Sequence, residues 1–235
     1  MQKRSKIIEA GVSTWASASR YYKMNLNHSN ILKFWDYKSN TWYKCPEPTA
    51  SNIKDAIKAI PPGAVFVSMS NSWISTLIGI WGLITHLYQA FLRGFKIMYS
   101  HTGLYFGSGS QETVEAFPHG VDIGNFKKYL DKSHKVQVWY NKNLTVDQLL
   151  SLKEFAYQQL GKAYDYKAFA DFIFDLKEDE NAFICTELVT AAMHSCKAPF
   201  LTADPAAIQP YDLVEYFENI SSYQSGWRKV LEWGY

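Results

Sequence analysis

The chain has 235 residues, of which 47% are hydrophobic and 20% charged, so it can bury a full core and disorder is not expected. Its formal net charge is +2 and the basic residues are spread along the chain, which argues against nucleic acid as a partner. Three cysteines at unrelated spacings, Cys45, Cys185 and Cys196, fit neither a disulfide framework nor a zinc site of paired thiolates.

Residues 1–52 are rich in Tyr, Trp, Asn and Lys and are predicted to form an N-terminal extension, with a β-hairpin from Trp35 to Tyr43. Basic residues precede a small-residue motif near the start, as in a signal peptide. Glu9 and Ser13 interrupt the stretch that would have to be apolar, so no signal peptide is expected. A protein partner is one hypothesis for this extension, and residues 53–235 are predicted to form the main domain.

The main domain is predicted to open with alternating short helices and strands. Its first elements are a helix over 53–60, a turn at Pro61-Pro62-Gly63, a buried strand over 64–69 and a hairpin of strands 96–106 and 112–117. The glycines of the hairpin, Gly107 and Gly109, favour a turn over a phosphate-binding loop because no Walker lysine follows them.

The segment from Trp73 to Leu92 has no Asp, Glu, Lys or Arg and has about the length of a membrane span. Polar residues and two glycines interrupt it, and it lies between two predicted strands of one sheet. A bilayer span there would separate those strands, so a covered helix is the preferred interpretation. Contact with a lipid or a membrane surface stays open as an alternative.

The second half is predicted to alternate again between strand and helix. A strand over 135–140 precedes a helix that begins at the capping box Thr145-Val146-Asp147-Gln148 and ends near Gly161. Later elements are a helix over 166–176, a helix beginning at Pro210 and a closing strand around 227–233. The fold class expected from these elements is α+β, with an antiparallel sheet packed against helices.

Cys185 stands where the apolar lead-in Phe183-Ile184 gives way to a predicted helix. A helix N-terminus and a neighbouring imidazolium both favour a thiolate, so this is a suitable position for a nucleophile. For a lone cysteine at a helix start, a buried structural role is the favoured interpretation. The other residues of the set therefore decide the interpretation.

His101 and Glu115 supply a candidate base and its orienting carboxylate. If the hairpin turn centres on Gly109, Gly103 faces Glu115, and His101 then lies on the same sheet face as Glu115. Gly103 allows a close approach there. A bulge in the hairpin would move Glu115 to the other face.

Five short motifs occur in an order that resembles the permuted branch of the NlpC-like papain superfamily. They are Ser100-His101-Thr102-Gly103-Leu104-Tyr105, Val114-Glu115, Gly161-Lys162-Ala163-Tyr164-Asp165, Cys185-Thr186-Glu187-Leu188-Val189 and Pro210-Tyr211-Asp212-Leu213. The resemblance implies a circularly permuted papain-like fold. One departure is Gly63-Ala64-Val65, where the family often has an acidic residue after the glycine.

The resemblance also implies a mechanism. Cys185 would attack a carbonyl carbon, His101 would move the proton and Glu115 would hold the imidazole, through a thioester intermediate. The Tyr164 hydroxyl is a candidate oxyanion donor, with core packing as an equal alternative, and His119 is a candidate for substrate contact or an exposed side chain. No metal and no cofactor are expected, since the histidines are scattered and no paired cysteines occur.

The substrate class stays open between three hypotheses. The first is cleavage of an amide in peptidoglycan or a related peptide, in a protein carried by a bacteriophage particle or located in the cytoplasm. The second is acyl transfer or lipid hydrolysis, as in the related lecithin:retinol acyltransferase group. The third is a structural or virion-associated binding protein without activity, because fold does not fix function.

Overall fold

Antiparallel strands form the framework of the structure. The computed structural model describes residues 31–36, 40–45, 49–70, 99–107, 111–131, 134–165, 182–198, 200–205, 208–220 and 226–234. The strands found there are β1 (Leu32–Asp36), β2 (Thr41–Cys45), β3 (Ala64–Ser70), β4 (His101–Gly107), β5 (Glu112–Phe117), β6 (Gly120–Asn125), β7 (His134–Asn141), β8 (Ala163–Tyr164), β9 (Ala182–Phe183) and β10 (Trp227–Trp233). The helices are α1 (Ala50–Lys58), α2 (Val146–Gln158), α3 (Cys185–Ser195), α4 (Pro210–Ile220) and a 3-10 turn, Phe126–Tyr129.

Eight of these strands form one sheet in the order β2-β1-β10-β7-β3-β4-β5-β6, and every neighbouring pair is antiparallel. The predicted α+β class is confirmed. The predicted hairpin of the N-terminal extension is the β1–β2 pair, and it joins the sheet through β10, where Leu32 pairs with Trp233. The sheet therefore continues across residue 52, while the division into 1–52 and 53–235 stays a prediction.

The sheet separates two apolar cores because side chains alternate between its faces. On β3, Val65 and Val67 contribute to the core beneath α2, α3 and α4, whereas Ala64 and Phe66 contribute to the core that α1 covers. All four side chains are fully buried. This continuous apolar run explains why β3 reads as a buried strand in the sequence.

Three of the helices begin where the sequence indicates. Thr145 caps α2 by accepting a hydrogen bond from the backbone N–H of Gln148, and α3 and α4 begin at Cys185 and Pro210. Helix α1 begins at Ala50, three residues before the predicted start. The reason is a capping box in which Thr49 and Asn52 satisfy each other's backbone N–H groups, a signal that the apolar pattern alone does not reveal.

Several predicted segments lie outside the described residues. They are the apolar segment 73–92, the helix over 166–176, the start of the second hairpin at 96–98 and the first thirty residues. In the part of the chain that the structure describes, no helix is both long and apolar enough to cross a membrane.

Candidate active site

The β4–β5 hairpin carries two of the predicted site residues. It has the register expected from the sequence, as seen in the pairs Leu104 with Val114 and Tyr105 with Thr113. Continued by one residue, that register puts Gly103 opposite Glu115. A bulge does occur, but it lies toward the turn, between Tyr105 and Gly107, so it leaves Glu115 on the face of His101.

His101 and Glu115 form a hydrogen-bonded pair. His101 Nε2 lies 2.7 Å from Glu115 Oε2, and the Glu115 side chain is completely buried while 19% of the His101 side chain is exposed. Gly103 makes room for the pair. A Cβ added to Gly103 would lie 2.8 Å from Glu115 Cγ and 2.7 Å from Phe66 Cζ, so the predicted close approach at this glycine is confirmed.

The buried carboxylate of Glu115 accepts further hydrogen bonds from three side chains. The hydroxyl of Thr113 donates to Oε1 and that of Tyr129 to Oε2, and Lys128 Nζ lies 3.2 Å from Oε1. On the neighbouring strand, a Cβ at Gly124 would lie only 2.4 Å from Glu115 Oε1. The carboxylate is thus paired on both oxygens, which is the condition for keeping a charge in a buried position.

Aromatic rings surround the His101 imidazole. The ring of Phe117 stacks on it at a centroid distance of 5.9 Å, the ring of Tyr129 at 6.1 Å, and Phe66 contacts it at 6.2 Å in a tilted arrangement. These rings restrict the rotation of the imidazole. Together with the Glu115 hydrogen bond they fix which ring nitrogen faces which neighbour.

Cys185 is the first residue of α3 and follows directly on β9 and Ile184. Its side chain lies close enough to His101 to raise the pKa of the imidazole. Because His101 Nε2 contacts Glu115, Nδ1 is the ring nitrogen left for the thiol. The N-cap residue Ile184 has no polar side chain, so it gives the N–H groups of the first turn no side-chain cap. Glu187 instead accepts the backbone N–H of Ile184 at 3.2 Å.

The electrostatics of the site favour a protonated His101 beside the ionised carboxylate of Glu115. Burial alone would lower the pKa of His101, but the hydrogen bonds and charges of Cys185 and Glu115 raise it from 6.5 to about 9. Burial pushes the pKa of Glu115 upward, yet hydrogen bonding to His101 and the charges of His101 and Lys128 hold it below its usual value. Burial and the Glu115 charge raise the pKa of Tyr129 well above its usual value, so it remains a donor.

Two other predicted residues lie at the edge of this cluster. Tyr164 is half-buried on β8 and pairs with Phe183, two residues before Cys185, and it packs against the core beneath α3. His119 is mostly exposed, with Nε2 3.5 Å from Asp122, and its ring stacks on Phe117 at 5.1 Å. The roles proposed for their side chains stay predictions.

Tyr129 and Lys128 were not predicted from the sequence as part of the site. They belong to the short 3-10 turn after β6, which Asn125 caps by accepting the N–H of Lys127. The antiparallel pairing of β6 with β5 returns the chain to Glu115 and brings them there, and no local sequence signal indicates that pairing. Among the described residues, no three His, Cys, Asp or Glu side chains are grouped in a way that could hold a metal ion.

Comparison with known proteins shows the family of the chain. A family model described as "Permuted papain-like amidase enzyme, YaeF/YiiX, C92 family" matches residues 80–203. No curated protein matches the chain. Among solved structures, the metalloprotein yiiX from Escherichia coli O157:H7 is similar, with 20% identity, a TM-score of 0.43, and coverage of 74% of this chain and 89% of that chain. The chain belongs to the C92 family of permuted papain-like amidases, as the resemblance of its motifs predicted.

Proposed function

We propose that this protein is a cysteine amidase in which Cys185 is the nucleophile, His101 the general base and acid, and Glu115 the residue that orients His101. The observation that carries the proposal is the grouping of three side chains: His101 Nε2 lies 2.7 Å from the buried Glu115 carboxylate, and Cys185, at the start of α3, lies close enough to raise the pKa of the same imidazole. A nucleophile, a base within hydrogen-bonding distance and a third group that orients the base are the parts that such catalysis needs.

In the first step, the Cys185 thiolate attacks the carbonyl carbon of the amide and forms a C–S bond. The imidazolium of His101 gives its proton to the amide nitrogen, the C–N bond breaks, and the amine leaves. A thioester with Cys185 remains. Neutral His101 then takes a proton from a water molecule, and the water oxygen attacks the thioester carbon. The C–S bond breaks, the carboxylic acid leaves, and the Cys185 thiolate and the His101 imidazolium are restored.

Two donors are suited to the oxyanion of each tetrahedral intermediate. One is the backbone N–H of Cys185 at the start of α3, where the helix dipole also favours negative charge. The second is the Tyr164 hydroxyl, which the position of Tyr164 on β8 beside Phe183 supports. Replacement of Tyr164 by Phe tests this second assignment, since it removes the hydroxyl and retains the ring.

For the substrate, we propose an amide within or next to a peptide, with peptidoglycan stem peptides as the first class to test. The support is the amidase description of the family together with the thiol, imidazole and carboxylate grouped at this site. A bacteriophage particle, inferred from composition, would put such an activity to use during entry into the cell.

The test incubates the protein with purified peptidoglycan and, separately, with an acylated lipid, and measures new primary amines and free fatty acid. The proposal predicts new amines from peptidoglycan, abolished in Cys185→Ala and His101→Ala. Cys196→Ala serves as a matched control, because Cys196 is a buried cysteine at the opposite end of the same helix. Fatty acid without amines would support the lipid hydrolase instead, and neither product would support the inactive scaffold.

A further inference from the structure

A groove of about 950 Å³ lies on the sheet away from the active site. Residues of β1, β2, β7, β10 and α4 line it, whereas His101 and Glu115 belong to β4 and β5. In the strand order, β10, β7 and β3 separate β1 from β4. With neighbouring strands about 4.8 Å apart, β1 lies roughly 19 Å from β4. The groove is therefore a different place from the catalytic cluster.

Exposed aromatic rings line one side of the groove. Trp35 and Trp42 face each other across the β1–β2 pair at a centroid distance of 5.8 Å and in an edge-to-face arrangement. Trp42 is 43% exposed, an unusual degree of exposure for the largest apolar side chain. Tyr140 also lines the groove. Flat rings of this kind provide surfaces on which the C–H face of a sugar ring packs.

Charged side chains of both signs also line the groove. Lys33 Nζ lies 2.9 Å from Glu232, and Lys229 Nζ lies 2.7 Å from the other oxygen of the same carboxylate. Lys229 Nζ also lies 4.0 Å from Glu218. Four basic and two acidic side chains line the groove in all, which leaves an excess of two positive charges.

This mixture of donors and acceptors distinguishes between two kinds of polymer. Sugar hydroxyls both donate and accept hydrogen bonds, so carboxylates such as Glu218 and Glu232 can bind them as well as lysines can. A phosphodiester backbone only accepts hydrogen bonds and carries a negative charge at every nucleotide, so those carboxylates would repel it more strongly than a sugar polymer whose carboxylates are separated by neutral units. The excess of positive charge favours a sugar that carries carboxylates.

We propose that this groove binds an acidic oligosaccharide, with Trp42 and Trp35 stacked against its sugar rings and the basic side chains facing its carboxylates. The groove would hold a carbohydrate-bearing polymer on the protein independently of the bond that is cleaved. Binding does not require the chemistry of Cys185. Sugar binding can therefore be confirmed or refuted independently of the proposed amidase activity.

The test measures binding of three probes to the full chain by titration calorimetry. The probes are a hyaluronan hexasaccharide, the neutral sugar chitohexaose and a twelve-residue oligothymidylate. The variant is Trp42→Ala, and the control is Tyr43→Ala. Tyr43 is the next residue on β2, is 45% exposed, and contacts Phe34 on the other face of the β1–β2 pair. Both changes remove an exposed aromatic ring from one strand.

We expect the hyaluronan hexasaccharide to bind more tightly than chitohexaose. Trp42→Ala should weaken its binding about tenfold or more, while Tyr43→Ala leaves it within about twofold. Failure of both sugars to bind at millimolar concentration would overturn the proposal. An equal loss of hyaluronan affinity in Trp42→Ala and Tyr43→Ala would also overturn it. So would an oligothymidylate that binds more tightly than either sugar and whose binding is abolished by Trp42→Ala.

Discussion

Replacement of Glu115 by Gln removes the charge that holds His101 without changing the size of the side chain. The carboxylate accepts hydrogen bonds from His101, Thr113 and Tyr129. It also forms an ion pair with Lys128. The Gln side chain has one oxygen where Glu has two, so its NH2 group must face some of the donors that the carboxylate accepts from. We therefore expect both a lower pKa of His101 and a less ordered imidazole.

The size of the effect expected in Glu115→Gln follows from the electrostatics of His101. The rise of its pKa from 6.5 to about 9 corresponds to roughly 3 kcal/mol in favour of the protonated ring. Cys185 and Glu115 produce that rise against the effect of burial. If Glu115 supplies half of it, its loss costs roughly 1.5 kcal/mol, so the fraction of His101 in the imidazolium form at pH 8 falls from about nine tenths to about one half.

The assay is the rate of Cys185 alkylation by iodoacetamide as a function of pH, read by peptide mass. We predict a rate about twofold lower at pH 8 in Glu115→Gln. The control is Glu112→Gln, which removes the same charge from the same strand at a half-buried position outside the contacts of His101. An unchanged rate in Glu115→Gln, or an equal decrease in Glu112→Gln, would refute the assignment of Glu115 as the orienting residue.

Three further predictions concern packing, capping and pH. Gly124→Ala puts a Cβ 2.4 Å from Glu115 Oε1, so it should lower the free energy of unfolding by about 2 kcal/mol in urea titrations and slow Cys185 alkylation. Thr145→Ala removes the N-cap of α2 and should cost about 1 kcal/mol by the same titration, with no change in alkylation. Because its pKa is raised in the folded state, His101 stabilises the fold fully below pH 6.5 and loses this effect as pH rises through about 9. The melting temperature of the parent should therefore fall more steeply than that of His101→Gln between pH 7 and 10, and parallel curves would contradict this.

Local signals in the sequence predict the parts of the site that lie on one hairpin. The position of the turn fixes the register, and the register puts Glu115 on the face of His101 because side chains alternate along a strand. The start of α3 at Cys185 follows in the same way from the apolar lead-in. These inferences hold because each depends on residues close together in the chain.

Contacts between distant segments were beyond such reasoning. Nothing in the local pattern of residues 126–129 indicates that Tyr129 donates to Glu115, because that contact depends on how β6 returns the chain along β5. The same holds for Leu32 and Trp233, which pair across almost the whole length of the chain and join the N-terminal hairpin to the sheet. Strand pairing over long separations is set by tertiary packing and leaves only a weak trace in local sequence.

The most direct test of the account is the site of acylation during turnover of an activated ester such as p-nitrophenyl acetate. Intact-mass and peptide analysis after rapid acid quench should find one acetyl group, on Cys185, with none in His101→Ala. Exposure alone would favour Cys45, the only one of the three cysteines that is not buried. Acetylation of Cys45 in preference to Cys185, or turnover that persists in Cys185→Ala, would contradict the account.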